Sequence, residues 1–208
     1  MKLPNWRMAL AWCLVGVGVG VGAAHAATAV GQLAPTFTLS DTSGKSVSLS
    51  DFKGKTVVLE WVNPGCPFVQ KHYKSANLPN TQKAAVERAV VWLAVNSTAP
   101  GTTDHLSAQA MADWMTQHHS AASATLLDAD GRVGRAYGAK TTPHMYIIDP
   151  RGVLVYAGAI DSKPTAKVDD IKSAVNYVSQ ALGELQAGKP VSTPVTQAYG
   201  CTVKYAGG

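Results

Sequence analysis

The feature that most constrains this chain is an abrupt change of residue pattern around Cys66. Residues 56–62, TVVLEWV, are β-branched and apolar almost throughout, which predicts a strand buried on both faces. The sequence NPG then breaks the strand, and a helical pattern begins after Cys66 with Pro67 in its first turn, where proline is tolerated. Cys66 is therefore expected at the carboxyl end of a central strand, the edge at which ligands bind in open α/β sheets.

The rest of the chain continues this alternation of strands and helices. A hairpin signal at Ser43 and Gly44 precedes the central strand, and a second hairpin, IIDPRGVLVYAGAI, follows the last short helix. Residues 167–185 have the spacing of one amphipathic helix. The order predicts a mixed sheet with helices on both faces, and 208 residues that are 46% hydrophobic suffice for one such domain.

The N-terminal residues 1–26 are typical of a secretory signal peptide. A charged start and a short apolar run lead to small residues, with cleavage expected after Ala26, although an uncleaved anchor helix is the alternative. Cleavage lowers the net charge from +5 to +3 and, because no Lys/Arg cluster is visible, nucleic-acid binding is not expected. The mature chain then keeps Cys66 and Cys201 in a periplasmic or extracellular compartment that permits disulfides.

The position of Cys66 predicts a reactive thiol. The unpaired N–H groups and the dipole at a helix N-terminus favour the thiolate and lower the pKa of a cysteine there. Lys71 and His72 follow more than a turn later, where they either add positive potential or face solvent. The alternative is an inert, buried cysteine. Thr142-Pro143 precedes an apolar strand, a setting in which a cis peptide bond would expose the backbone of Thr142 to an extended partner.

Together these segments resemble the thioredoxin-like superfamily, in particular its AhpC/TSA (redoxin) branch. The resemblance covers residues 31–185 and rests on APTFTLSDTSGKSVSLSDFKGKTVVLEW, on the sequence CPFV in place of Cys-x-x-Cys, on TP at the cis-proline, and on YIIDPRGVLVYAGAID. It implies an α/β thioredoxin-like fold over residues 27–186, with a central mixed sheet and an N-terminal β-hairpin, followed by a tail over residues 187–208.

The resemblance also implies roles for particular residues. Glu60 corresponds to the buried acid that moves protons to the thiols, with a pKa raised by desolvation, although a structural ion pair with Lys55 or Lys71 is an equal alternative. Pro67 and the segment Thr142-Pro143 would form the surface that binds a partner.

Departures from the family pattern limit the chemistry. The second cysteine of Cys-x-x-Cys is replaced by Val69, so no disulfide can form within the motif. Peroxiredoxins position the peroxide with a threonine where this chain has Asn63, a proline where it has Leu59, and an arginine whose place is held by Pro143. Three other arginines remain as substitutes: Arg132, Arg135 and Arg151.

Cys201 is the candidate for the missing second thiol. If the tail crosses the edge of the sheet, Cys201 can act as a resolving thiol towards Cys66. Gly200 would give the backbone freedom, and Tyr199 and Tyr205 would hold the tail by packing. The alternative is a tail cysteine that is free or lies far from Cys66.

The sequence thus predicts a thiol–disulfide oxidoreductase or antioxidant redoxin that acts through the Cys66 thiolate. Its expected partners are protein thiols or disulfides, or a peroxide, together with a reducing partner protein. No cofactor and no metal is expected, and membrane contact would come only through an uncleaved signal. Two alternatives remain: a thiol peroxidase that uses the same Cys66, and a redox-inactive module that binds a protein, or a metal through cysteine and histidine ligands (Cys66, His72, His144 and Cys201).

Overall fold

The computed structural model describes Met1 and residues 28–207, so the predicted signal peptide lies outside the described residues. No helix in residues 28–207 combines the length and the apolar character needed to cross a membrane. The strands are β1 Thr38–Asp41, β2 Ser46–Ser48, β3 Val57–Trp61, β4 Val91–Asn96, β5 Ala124–Leu127, β6 Thr141–Thr142, β7 His144–Ile148, β8 Leu154–Gly158 and β9 Cys201–Thr202. The α-helices are α1 Pro67–Lys74, α2 Asn77–Val86, α3 Ala108–Gln117, α4 Arg132–Tyr137 and α5 Tyr177–Gln186.

Seven strands form one mixed sheet in the order β2-β1-β5-β4-β3-β7-β8. The central strands β3, β4 and β5 run parallel, whereas β7 pairs antiparallel with β3 and β8 antiparallel with β7. The predicted N-terminal hairpin is β1 and β2, which joins the sheet through β5. This is the predicted mixed sheet, and it places the end of β3 and the start of β7 at the same edge.

Two apolar clusters cover the two faces of the sheet, because successive side chains of a strand point to opposite faces. Val58 and Val62 belong to the cluster with α1, α2, α3 and α5, whereas Val57, Leu59 and Trp61 belong to the cluster with α4 and the N-terminal segment. All five residues of β3 are buried, as the apolar run predicts. The layers are unequal, since four of the five described α-helices contribute to one face.

The single helix predicted over residues 167–185 is wrong. A 3₁₀-helix, Val168–Ser173, ends at an extended Ala174, and α5 begins after Asn176. The Asn176 side chain accepts a hydrogen bond from Ser179 N and donates one to Thr81 Oγ1 on α2, so it acts as an N-cap. Tertiary pairing and capping therefore override the apolar periodicity at this position.

The C-terminal tail packs along the domain after α5. It first runs beside β8, where Ala157 N donates to Pro194 O at 3.0 Å and Thr196 N donates to Ala157 O at 3.1 Å. It then forms β9, which pairs with β6 as a separate two-stranded sheet. The tail therefore crosses the sheet edge at which β3 ends.

Candidate active site

Cys66 lies at the turn between β3 and α1, as the sequence predicts. Cys66 N donates to Asn63 O at 3.0 Å, and Gly65 N donates to Asn63 Oδ1 at 2.8 Å, which closes a tight Asx turn. Cys66 is the N-cap residue of α1, with Pro67 as the first helical residue. The thiol is only 1% exposed, so any reaction partner must reach it through the groups that cover it.

The backbone before Pro143 is the first of these groups. The bond between Thr142 and Pro143 is cis, as the sequence predicts. The Cys66 thiol donates a hydrogen bond to Thr142 O over an Sγ–O distance of 3.1 Å. Residues 76 positions apart are thus joined at one edge of the sheet.

The tail covers the other side of Cys66. In the antiparallel pair of β6 and β9, Thr142 is opposite Cys201 and Thr141 is opposite Thr202. Cys66 and Cys201 are both free thiols, and they lie close to each other because the Cys66 thiol contacts Thr142, the residue opposite Cys201. The structure therefore places Cys201 beside Cys66 and overturns the alternative of a distant tail cysteine.

The two thiols differ in environment. Burial, followed by the contact with Cys66, raises the pKa of Cys201 to about 12. At neutral pH Cys201 is therefore a protonated thiol, which is not nucleophilic until it loses its proton. Cys66 instead is the N-cap residue of α1, and its thiol donates to Thr142 O.

The tail is fixed on both sides of Cys201. Tyr199 OH donates to Asp161 Oδ1 at 2.5 Å, and Tyr205 OH donates to Ala139 O at 2.7 Å. Between them, Val203 is buried in the apolar cluster that contains α4. The two tyrosines hold the tail as the sequence analysis expects.

Glu60 is fully buried in β3 and pairs with no lysine of residues 28–207, which excludes the alternative of an ion pair with Lys55 or Lys71. Three neutral side chains donate to its carboxylate instead: Tyr73 OH at 2.9 Å, Gln82 Nε2 at 2.9 Å and Trp92 Nε1 at 2.8 Å. Desolvation nevertheless raises the pKa of Glu60, as expected for a buried acid. Alternation along β3 directs Glu60 to the face whose apolar cluster includes Cys66, although its hydrogen bonds go to neither cysteine.

Lys71 and His72 do not face solvent. They are 1% and 0% exposed on the buried side of α1, next to Asp161 at the end of the β8 hairpin. Lys71 Nζ donates to Lys163 O at 2.7 Å and lies 3.7 Å from Asp161 Oδ2, while His72 Nε2 lies 3.0 Å from the Tyr199 hydroxyl oxygen. Burial lowers the pKa of His72 to about 4, so its imidazole is neutral at pH 7.

Two acidic residues near the cysteines were missed by the sequence analysis. The carboxylate of Asp104 accepts from Asn63 Nδ2 at 3.4 Å and raises the pKa of Cys201 by its charge. Asp161 closes the polar cluster around Tyr199. Asp104 lies in no recognised motif, and Asp161 ends the segment YIIDPRGVLVYAGAID but had no role assigned to it, so only the tertiary fold reveals both contacts.

The residues at the positions that bind peroxide in peroxiredoxins, and the arginines considered as substitutes, make other contacts in this protein. Asn63 forms the turn described above, where peroxiredoxins use a threonine. The arginines considered as substitutes bind elsewhere: Arg132 pairs with Asp130, Arg135 donates to Ala206 O, and Arg151 pairs with Asp149 at the opposite end of the sheet. This arrangement gives no support to a peroxide site at Cys66.

His144 is packed against Tyr146, with 4.5 Å between ring centroids, and its Nδ1 is 3.2 Å from the Tyr146 hydroxyl oxygen. Burial lowers the pKa of His144 to about 4. Within residues 28–207, no three His, Cys, Asp or Glu side chains are grouped closely enough to hold a metal ion. The four ligands considered in the sequence analysis therefore do not form a common site.

The chain is similar in sequence and in structure to known proteins. The thiol-disulfide oxidoreductase ResA of Bacillus subtilis is 30% identical over 125 residues, which cover 60% of this chain and 64% of the relative. The chain thus spans slightly less than two thirds of that relative. An uncharacterized conserved protein from Geobacillus kaustophilus shares 26% identity and a TM-score of 0.73, over 86% of this chain and 94% of that one.

The fold and the family follow from two further matches. The thioredoxin domain of a thiol-disulfide oxidoreductase from Bacteroides vulgatus has a TM-score of 0.51 at 23% identity, and covers 71% of this chain and 98% of that domain. Its likeness shows that the fold is thioredoxin-like. The model of the AhpC/TSA family matches residues 30–157, more than half of the sequence. The chain therefore belongs to the AhpC/TSA family.

Proposed function

We propose that this protein is an extracytoplasmic thiol–disulfide oxidoreductase in which Cys66 attacks and Cys201 resolves. The observation that carries the proposal is the meeting of three groups at one sheet edge: the Cys66 thiol, the backbone of Thr142 before its cis-proline, and Cys201 on the paired strand β9. The ResA relative bears the same activity in its name. The N-terminal signal-like residues support a periplasmic or secreted location.

The reaction consists of two exchanges. The Cys66 thiolate attacks one sulfur of a partner disulfide, a mixed disulfide forms, and the other partner sulfur leaves as a thiolate. Cys201 then loses its proton and attacks Cys66 Sγ, which releases the partner dithiol and leaves a disulfide between Cys66 and Cys201. The partner is reduced and this protein is oxidised, so a reducing partner protein must restore the two thiols.

The remaining residues have supporting roles in this proposal. When the tail strand β9 leaves β6, the backbone of Thr142 before Pro143 becomes free to align a partner next to Cys66 and Pro67, and the tail returns for the attack by Cys201. Glu60 is a positioning and proton-holding group behind the thiol, since its raised pKa lets it carry a proton at a pH where an ordinary carboxyl cannot.

Replacement of one cysteine at a time tests the proposal. With Cys201→Ser, we expect the mixed disulfide between Cys66 and a disulfide peptide to accumulate, because the resolving attack is lost. With Cys66→Ser, we expect exchange to fall by at least about 1,000-fold, since the nucleophile is removed. Mass spectrometry after acid quenching measures both species. Equal exchange rates in the wild type and Cys66→Ser would exclude the proposal.

Hydrogen peroxide separates this function from a peroxidase. We expect the reduced protein to consume peroxide at a rate within about one order of magnitude of a free cysteine thiolate, because Asn63 replaces the peroxiredoxin threonine and Arg132, Arg135 and Arg151 bind elsewhere. Stopped-flow measurement of peroxide loss checks this, with Cys66→Ser as the blank. Rapid consumption that depends on Cys66 would favour the peroxidase alternative.

A further inference from the structure

The tail presents a tyrosine side chain to a polar pocket two residues before Cys201. The Tyr199 hydroxyl donates to Asp161, lies 3.0 Å from His72 Nε2 and lies 3.5 Å from Lys71 Nζ. The ring packs edge-on against Phe68 with 5.9 Å between centroids. A phenol therefore fits this pocket both by its ring and by its hydroxyl.

The pocket is built by the domain and not by the tail. His72 Nδ1 accepts from Asn77 Nδ2 at 2.8 Å, and the Asn77 oxygen accepts from Asn176 Nδ2 at 3.3 Å, which fixes the orientation of the amide. The neutral imidazole must then carry its proton on Nε2, facing the phenol oxygen. Asp161 Oδ1 is held by Lys163 N at 2.9 Å. None of these three hydrogen bonds involves the phenol.

Removal of Tyr199 would leave this pocket incomplete. With the tail in place, Lys71, His72 and Asp161 are each no more than 2% exposed, so an occupant that covers them equally but lacks a hydroxyl group leaves an unpaired donor or acceptor with the desolvation penalty of a buried polar group. Asp161 Oδ2 already has no hydrogen-bond partner, and a cavity of about 210 Å³ borders Asp161 and Tyr199. The pocket thus favours an occupant that brings a hydroxyl group.

The backbone of the tail adds two further requirements. Any extended segment can pair with β6, because strand pairing uses backbone groups only. At Gly200, however, a side chain would overlap Thr142 O, so the residue between the phenol and the cysteine must be glycine. The tail therefore displays one combination, Tyr-Gly-Cys, in the place where a partner strand would lie.

We propose that the pocket of Lys71, His72 and Asp161 is a specificity subsite for a tyrosine two residues before the reactive cysteine of a partner protein. In the free protein the tail occupies this subsite as an internal substitute. The substrate class is then an extended segment of the form Tyr-Gly-Cys that replaces the tail. The inference rests on the proposed function for the thiol step, but recognition of the phenol is separable from it.

Two activated peptides test the subsite in the full-length Cys201→Ser protein. Their sequences are QAYGCTVKY and QAFGCTVKF, with each cysteine carried as a mixed disulfide with 5-thio-2-nitrobenzoate. Cys66 attacks the peptide sulfur and the coloured aromatic thiolate leaves, so its release reports the rate. We expect QAYGCTVKY to react at least about tenfold faster, because a hydrogen bond to a charged group is lost in the other peptide. A third peptide, QAYGCTVKF, separates the effect of the first tyrosine from that of the second.

The ratio of rates is independent of the tail, because both peptides displace the same tail segment. Asp161→Asn should lower the ratio at least about threefold, and Tyr199→Phe should speed both peptides by loosening the tail while leaving the ratio unchanged. Tyr205→Phe is the matched control, since it removes a hydroxyl from the same tail outside the pocket. If Asp161→Asn does not fold, the comparison of peptides still decides.

The outcomes separate this inference from the proposed function. Equal rates for the phenylalanine and tyrosine peptides would overturn the subsite and leave thiol exchange intact. If Cys66 reacts with neither peptide nor with a small disulfide, the proposed function fails. The subsite is then judged by calorimetric binding of the serine peptides QAYGSTVKY and QAFGSTVKY to Tyr199→Phe protein, where equal affinities overturn it and tighter binding of the tyrosine peptide supports it.

Discussion

Gly200→Ala is expected to slow formation of the disulfide between Cys66 and Cys201 by at least about 100-fold, because positioning errors near 1 Å have effects of this size. Gly200 has a φ of +133°, which a side chain disfavours. A Cβ there would overlap Thr142 O and lie 3.3 Å from Pro143 N. Thr142 cannot yield easily, because its carbonyl also accepts from the Cys66 thiol. The tail must therefore move away, and Cys201 moves with it.

Gly188→Ala is the matched control for this prediction. Gly188 stands at the start of the tail and also has a positive φ, +69°, but nothing lies within 4 Å of an added Cβ. An alanine at this position therefore also has an unfavourable positive φ, but its Cβ does not overlap any other atom. Both variants are reduced, oxidised with a limited amount of glutathione disulfide, and quenched for peptide mapping. Equal rates of disulfide formation in the two variants would show that the approach of Gly200 to Thr142 does not position Cys201.

The sequence predicts the position of Cys66 well, because this position depends on residues that are adjacent to it in the chain. The apolar run of β3, the Asx turn at Asn63 and proline in the first turn of α1 place Cys66 with no reference to distant residues. The prediction of one helix over residues 167–185 fails at Asn176, because the spacing of apolar residues does not reveal that this side chain caps α5. Prediction from residue patterns is thus most reliable where no side chain forms a hydrogen bond with the backbone in place of a helical one.

Distant contacts set the rest of the site. The periodicity of α1 does not reveal that Lys71 and His72 are buried, since the buried partner Asp161 is about ninety positions away and Tyr199 even further. The family resemblance identifies Glu60 as a buried acid, but its donors come from α1, α2 and β4. The resemblance thus predicts the burial of this group, whereas its hydrogen-bond partners depend on the fold.

Glu60→Ala is expected to lower the free energy of unfolding at pH 7 by about 2–5 kcal/mol, the range for a large-to-small change in the core, here with a buried donor left unpaired as well. The change leaves Trp92 Nε1 with no acceptor and removes one acceptor from Gln82 Nε2 and from Tyr73 OH. It also opens a cavity on the face of the sheet that packs against α1, α2, α3 and α5. Guanidinium unfolding followed by circular dichroism measures the effect. A loss below about 1 kcal/mol would mean that the three donors find other partners or water.

Glu60→Gln isolates the charge of this group from its shape. The amide oxygen can still accept from Trp92 and Gln82, and its nitrogen can donate to the Tyr73 oxygen. Because a neutral amide does not carry the desolvation cost that a carboxyl meets when it ionises in the core, the variant is expected to be at least as stable as the wild type at pH 7. Its thiol exchange should nevertheless slow if Glu60 holds a proton for the thiols, which distinguishes that role from a purely structural one.

The pH dependence of stability separates these effects further. Burial raises the pKa of Glu60 above its ordinary value of 4.5, so between the two values the native state holds a proton that the unfolded chain has released. The contribution of Glu60 is therefore complete below pH 4.5 and is lost as the pH rises through the native pKa. His72 and His144 have the opposite effect on stability. Between about pH 4 and 6.5 their imidazoles are protonated in the unfolded chain but neutral in the native state, so they make the protein more stable as the pH rises. Both histidines remain in Glu60→Gln, so the wild type should lose stability relative to this variant as the pH rises above 4.5. A constant difference across that range would contradict the raised pKa.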